Sequence, residues 1–460
     1  MLGRTKAIHC VGVGGSGVGA IAEVLLRLGY TVTGSDTQPS AMTGRLQGLG
    51  LVFHPGHDRT HVGDVDVVVI SSAVGATNAE VVEARRRGIP VILRADMLAE
   101  IMRARFSIAV GGAHGKTTTS SMIAVMLVHA GLDPTAIIGA HVPAFGSNAR
   151  IGTSEYLVAE ADESDRSFLR LMASMTVVTN IDNEHLDRYE GFADLTDAFV
   201  SFASKAPFYG AAVLCTDDEH VRAMVPRVTS PVVTYGVDRD DADLGVRDVQ
   251  LSAAGTRASV VRRRARGEET LGPLSVGVPG RHNLQNALAA IAVGLELGVP
   301  FGTAAEGLAA FAGAERRFER KGAAAGVEVF DDYAHHPTEI TAVLRAARTG
   351  RTGRIIVAFQ PHRFSRTRQL REGFGPALAL ADAVVLTGIY GAGEEPVPGV
   401  TLEWLAEAVG AAAPGRVDVV PDVADVPAAV AGMARAGDLI ITMGAGSIGE
   451  CGERILQELR

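Results

Sequence analysis

Apolar residues along this chain fall into short runs, rich in valine and isoleucine, each closed by glycine or a polar cluster. In the first third these runs are Ala7–Val13, Tyr30–Thr33, Val65–Ile70 and Ile89–Leu93. In the middle they are Ile108–Val110, Tyr156–Ala161 and Thr176–Thr179, and in the last third Val327–Phe330, Ile355–Phe359, Val384–Thr387 and Leu439–Met443. Between them lie longer stretches with apolar residues at helical spacing. One runs to Leu28 and stops at Gly29, one runs from Lys116 to about Ala130, and one is alanine-rich and ends at Leu297. Continuous apolar strands alternating with helices predict an α/β fold with mostly parallel sheets, buried on both faces. Residues 244–275 read instead as a twisted meander, with Arg262–Arg266 at a solvated edge or turn. Two polar seams interrupt the pattern, Arg103-Ala104-Arg105 and Ala314-Glu315-Arg316-Arg317-Phe318. They divide the chain into expected domains 1–104, 105–312 and 313–460.

Composition narrows the class. A chain of 460 residues exceeds one ordinary core. A net charge of −9 gives no footprint for nucleic acid or an anionic membrane, so positive charge for anionic ligands has to be local. Cys10, Cys215 and Cys451 are scattered, without metal spacing or a disulfide framework, as suits a reducing cytoplasm. No apolar run reaches the length of a bilayer span, and no signal-like segment opens the chain. The expectation is a cytoplasmic protein without membrane insertion.

The chemistry concentrates at the ends of the predicted strands. Ser107–Thr119 reads S-I-A-V-G-G-A-H-G-K-T-T-T, a strand, a glycine-rich turn and a helix start. Gly111, Gly112 and Gly115 let backbone amides turn inward, and the helix N-terminus adds unpaired N–H groups. Lys116, one of only four lysines, is placed to reach terminal phosphates, and the Thr117 hydroxyl to bind Mg²⁺. Val110 stands where a glycine is usual, so the loop is one residue tighter. Gly12-Val-Gly14-Gly15-Ser16-Gly17, with Ser35-Asp36 about 20 positions on, meets the fingerprint of a diphosphate-binding strand–turn–helix. That fingerprint fits a dinucleotide and a UDP-sugar alike. Ser71-Ser72 follow the next strand at the same ligand-facing edge.

Two acidic runs, Glu160-Ala-Asp162-Glu163-Ser-Asp165 and Asn180-Ile-Asp182-Asn-Glu184-His185-Leu-Asp187, close neighbouring strands, where Mg²⁺ ligands belong. Most of these acids read as solvated turns. His54, His57 and His61, lacking acidic partners in a ligand pattern, read as solvated loop histidines. Asn283 and Asn286, one turn apart at a helix start, suit either an adenine edge or a cap. Asp331-Asp332-Tyr333-Ala-His335-His336-Pro337 and Gln360-Pro-His362-Arg363-Phe-Ser365-Arg366 close two strands of the last third. Their arginines form either a carboxylate clamp or a surface ion-pair cluster. Gly444-Ala-Gly446-Ser447 reads as a packing turn.

Taken in order, G-V-G-G-S-G, G-A-H-G-K-T-T-T, E-A-D-E-S-D, N-I-D-N-E-H-L-D, G-R-H-N-L-Q-N-A, D-D-Y-A-H-H-P-T-E and F-Q-P-H-R-F-S-R-T-R resemble the Mur ligases over nearly the whole chain. The last two motifs resemble the branch of the family that adds alanine. The resemblance implies a Rossmann-like UDP-binding domain, a P-loop-type ATPase domain with a mostly parallel sheet, and a Rossmann-like C-terminal domain holding the amino acid. It implies ATP-dependent joining of the carboxylate of UDP-N-acetylmuramate to L-alanine through an acyl phosphate, with ATP and Mg²⁺. A related branch attaches a recycled murein tripeptide to the same sugar. The implied partners are these small molecules, with the chain a monomer or homodimer.

By resemblance, Gly112, Ala113, His114, Gly115, Lys116, Thr117, Thr118, Asn283, Asn286, Arg317 and Asp332 serve ATP. Thr117, Glu160 and His185 serve the metal. Gly12, Gly14, Gly15, Ser16, Gly17, Ser35, Asp36, Ser71, Ser72 and His114 serve the UDP-sugar. Tyr333, His335, His362, Arg363 and Arg366 serve the amino acid, and Lys116, Glu160, His185 and Arg363 carry the catalysis. Ala113 departs from the Thr or Asn usual in the loop. No lysine occurs between His185 and Lys205, so the carbamylated lysine of many relatives is not expected.

Overall fold

A computed structural model describes residues 2–460 other than 72, 185–187, 266 and 414. It contains three sheets separated by helices. The chain falls into two compact units. One comprises Met1–Val249, Ala258–Val276 and Leu284–Ala312, and the other Gln250–Arg257, Gly277–Asn283 and Gly313–Arg460.

The first sheet has the spatial order Val52–Pro55, Thr31–Asp36, Ala7–Val11, Val67–Ile70, Val91–Leu93, and every pairing is parallel. Helices cover both faces of such a sheet, which is why its central strands are continuous apolar runs. The second strand runs further than its apolar pattern suggests, through Ser35 and Asp36, because its polar end is still paired to the strand at Val52–Pro55. That edge strand, with Val52 exposed, carries no apolar alternation to announce it.

The second sheet has ten strands, and within it Phe106–Gly111 lies between Met175–Val178 and Tyr156–Glu160, parallel to both. Thr135–Val142 and Ser147–Arg150 form an antiparallel edge. The meander is present as strands Leu244–Ser252, Gly255–Arg264 and Gly267–Val276. The helix Lys116–His129 is buried over Thr117–Leu127, so it has little amphipathic character and is stabilised by packing on all sides.

In the second unit, strands Glu319–Ala324, Val327–Asp332, Leu439–Met443, Ile355–Phe359, Ala383–Thr387 and Val417–Val420 are neighbours in that order. Only the first pair is antiparallel. Apolar residues from both faces of this sheet fill two cores, one around Phe359 and Phe374 and one around Val329, Ile440 and Ile455. Pro337 opens the helix Pro337–Arg348, as its missing N–H and fixed φ favour.

Candidate active site

The phosphate loop is held from the neighbouring strand end. Ala113 N donates to the Asn180 carbonyl (3.1 Å) and His114 N to Asn180 Oδ1 (2.8 Å). Thr179 Oγ1 and Asn180 Nδ2 donate to the His114 carbonyl at 2.6 and 3.0 Å. His114 Nε2 lies 2.8 Å from Asp182 Oδ2. Gly112 (φ +135°) and Gly115 (φ +81°) adopt backbone conformations that L side chains resist. A Cβ at Gly115 would lie 2.9 Å from Asn286 Oδ1, which also accepts from Thr119 Oγ1 at 3.1 Å. The helix then starts without a side-chain cap, leaving its first amides to a ligand or solvent.

Lys116 Nζ donates to the carbonyls of Gly112 (2.6 Å) and Ala113 (3.0 Å) and to Glu163 Oε1 (2.9 Å). Burial pulls the lysine's proton affinity down, but Glu163, Asp162 and Glu184 more than restore it, so the ammonium stays charged. Burial pushes the Glu163 carboxyl up to about 7, against the pull of Lys116 and with the repulsion of Asp162. Glu163 and Glu184 are buried, not solvated as the acidic runs suggested, because they turn inward beside the loop. Glu160 instead accepts from Gly139 N at 2.8 Å. His185 lies outside the described residues. Thr117 and Glu160 offer hydroxyl and carboxylate oxygens, the hard donors Mg²⁺ prefers.

The glycine loop of the first sheet is tied to the second strand. Gly12 N and Val13 N donate to the Ser35 carbonyl at 2.8 and 3.0 Å, and Gly14 N donates to Asp36 Oδ2 at 2.8 Å. Asp36 thus holds the loop itself. Gly15 precedes the helix Ser16–Arg27, which also lacks a side-chain cap, and Ser71 lies beside Gly12. Ser72 lies outside the described residues. Gly17 makes room for Arg94, whose Nη2 is 3.3 Å from Asp162 Oδ2. No motif marked Arg94, because its helix start is an ordinary amphipathic one.

The three nearby histidines remain partly exposed, His57 most of all, but they are not without an acidic partner. His57 Nδ1 and His61 Nδ1 lie 3.0 and 3.1 Å from the carboxylate of fully buried Glu80, and Ser35 Oγ donates to it at 2.8 Å. His9, also buried, has Nδ1 2.7 Å from Thr33 Oγ1, and His54 stacks on His61 at 4.7 Å. Burial would raise Glu80, but the nearby His9 and the bonds from Ser35 and His57 bring it down to about 2. Glu80 enters from a helix outside the histidine segment, so spacing could not connect them.

In the second unit, His335 and His362 meet edge to face at 5.5 Å, Tyr333 lies 5.5 Å from His335, and Tyr390 stacks on His362 at 5.8 Å. Arg366 Nη1 donates to His362 Nδ1 at 3.1 Å. Burial, His335 and the two arginines push His362 down to about 3, so it is the neutral acceptor this bond requires. Arg363 is exposed and sits at φ +68°, its backbone N bonded to the Tyr390 carbonyl at 2.8 Å. Arg316 pairs with Asp331 at 2.8 Å and donates to the Gly444 carbonyl, so the last glycine turn is filled by an arginine. Arg317 lies over the Tyr333 ring at 5.1 Å. Asp332 accepts from Phe318 N and Ala334 N, and burial raises it to about 6 against Arg317. Asn283 Nδ2 donates to the Pro279 carbonyl at 2.7 Å.

Three family models match the chain in this order: the Mur ligase family catalytic domain over residues 7–106, the Mur ligase middle domain over 110–294, and the Mur ligase glutamate ligase domain over 316–446. The chain belongs to the Mur ligase family. Among curated relatives, the UDP-N-acetylmuramate–L-alanine ligase of Solidesulfovibrio magneticus is 50% identical over all of both chains. That of Geobacter sulfurreducens is 49% identical over 100% of this chain and 99% of its own. Among solved structures, UDP-N-acetylmuramate-alanine ligase from Thermotoga maritima superposes with a TM-score of 0.83 at 28% identity, covering 99% of each chain. A murein peptide ligase from Psychrobacter arcticus reaches 0.72 at 27% identity, over 99% of this chain and 98% of its own. The three sheets thus correspond to the three domains of a Mur ligase, and the α/β architecture expected from the sequence is the one observed. No helix among the described residues is long and apolar enough to cross a membrane.

Proposed function

We propose that this Mur ligase joins L-alanine to the carboxylate of UDP-N-acetylmuramate, converting ATP to ADP and phosphate in the synthesis of peptidoglycan precursors. The observation that carries the reading is whole-chain identity of about half to relatives named for that reaction. The retained Lys116 loop and the His335–His362–Arg366 cluster support it. The domain limits we assign are 1–104, 105–312 and 313–460, and the cytoplasm is the proposed compartment.

A carboxylate is a poor electrophile, so its oxygen first attacks the γ-phosphorus and ADP leaves. The alanine amine then attacks the acyl carbon of the resulting acyl phosphate, loses a proton, and phosphate departs. The protein's part is positioning and charge stabilisation. The Gly112–Gly115 loop, the open N-terminus of the helix behind it and Lys116 bind the nucleotide phosphates, with Thr118, Asn283, Asn286, Arg317 and Asp332 as further nucleotide contacts. The Gly12–Gly17 loop, with Ser35, Asp36 and Ser71, takes the UDP-sugar. Tyr333, His335, His362, Arg363 and Arg366 hold alanine, an arginine pairing with its carboxylate. Thr117, Glu160 and His185 would hold Mg²⁺, which neutralises phosphate charge when bound.

ADP release with UDP-N-acetylmuramate, compared between L-alanine and the murein tripeptide, tests the assignment. A strong preference for L-alanine is expected, and a preference for tripeptide would move the protein to the recycling branch.

A further inference from the structure

The ammonium of Lys116 has three N–H donors, and the protein uses all of them: the Gly112 and Ala113 carbonyls and Glu163 Oε1. The lysine is therefore folded back onto its own loop. Glu163 is almost wholly buried, and both of its oxygens lie 2.9 Å from Nζ. Its other charged surroundings are unfavourable to a second anion. Asp162 is adjacent and itself engages Arg94, and Glu184 is also close enough to act on Lys116. A phosphate arriving at the loop cannot gain Lys116 while the lysine keeps all three partners. The partner it replaces most readily is the one of like charge.

We propose that Glu163 is a positioning residue that stands in for the nucleotide's terminal phosphates, holding Lys116 on the loop in the unliganded protein and releasing it when nucleotide binds. This rests on the reading of the loop as the ATP site. It assigns to the second glutamate of E-A-D-E-S-D a role opposite in sign to a phosphate-binding one: Glu163 competes with ATP. It keeps the partly buried cation of the loop paired until the substrate arrives, since an unpaired charge withdrawn from water is costly. The cost is affinity for the nucleotide.

Calorimetric titration of the full chain with ATP in excess EDTA tests this, with adenosine as the phosphate-free control. Glu163→Gln is expected to bind ATP about three- to tenfold tighter, the span that screening leaves to one charge-assisted contact. Its adenosine affinity should stay at the wild-type value. In a Lys116→Gln background the same substitution should change ATP affinity less than about twofold, because the competed-for partner is gone. Equal or weaker ATP binding by Glu163→Gln overturns the proposal, as does a gain that persists without Lys116. If Glu163→Gln does not fold, Glu163→Asp withdraws the carboxylate from Nζ by one methylene and must shift ATP binding in the same direction. Failure of the wild type to bind ATP at all would instead overturn the nucleotide reading on which the proposal rests.

Discussion

The hydroxyl of Thr179 occupies the space that a Cβ at Gly112 would need, and the same hydroxyl donates to the His114 carbonyl at 2.6 Å. The phosphate loop is thus moulded against the end of the adjacent strand. Gly112→Ala meets both this collision and a φ of +135°. It should cost about 2–4 kcal/mol of stability and lower ATP-dependent turnover by about a hundredfold or more. Chemical denaturation and phosphate release check this, and wild-type values in both would show that the loop is looser than described.

Lys116→Ala removes the loop's cation. Turnover should fall by several orders of magnitude, consistent with about 3–5 kcal/mol of lost transition-state stabilisation. The circular dichroism spectrum should be unchanged, because the helix behind it is buried over Thr117–Leu127 independently of the lysine. Turnover within tenfold of wild type would remove Lys116 from the chemistry.

Glu80 ties His9, His57, His61 and Ser35 beneath the first glycine loop. Its folded-state pKa of about 2 lies below the ordinary 4.5, so its contribution is fully present above about pH 4.5 and is lost as pH falls toward 2. A shift of this size corresponds to about 3 kcal/mol. Glu80→Gln should therefore melt well below wild type at pH 7, with the gap closing below pH 4.5. A gap that does not depend on pH would mean that shape, not charge, is what Glu80 contributes.

His362 should remain neutral through the physiological range, since burial, His335 and the arginines hold it near 3. Its ring resonances should not move between pH 8 and 5. In the unfolded chain it charges below its ordinary 6.5, so it draws stability down as pH falls from there toward 3. A titration midpoint near 6 in the folded protein would contradict the Arg366 Nη1 to His362 Nδ1 bond.

Strand–turn–helix units were legible because buried parallel strands announce themselves as uninterrupted Val/Ile runs and glycine marks the turns, as at Ile108–Gly115. The edge strand Val52–Pro55 was not, having no buried face to impose a pattern. Candidate residues within one motif could be named early, Lys116 from the strand–glycine–helix pattern and Tyr333 and His335 by family resemblance. Those that meet across the sheet could not: Glu80 reaches His57 and His61, Arg94 reaches Asp162, and Tyr390 reaches His362. The inward turn of Glu163 was hidden for another reason, since an acidic run reads the same whether it faces water or the lysine of the loop.

The central claim is that the γ-phosphoryl group goes to the sugar's carboxylate and is then displaced by alanine. UDP-N-acetylmuramate labelled with ¹⁸O in both carboxylate oxygens, turned over with ATP and L-alanine, tests it by mass spectrometry of both products. The prediction is one ¹⁸O retained in the new amide carbonyl and one transferred to inorganic phosphate. Unlabelled phosphate, or phosphate released without an alanine adduct, would contradict it.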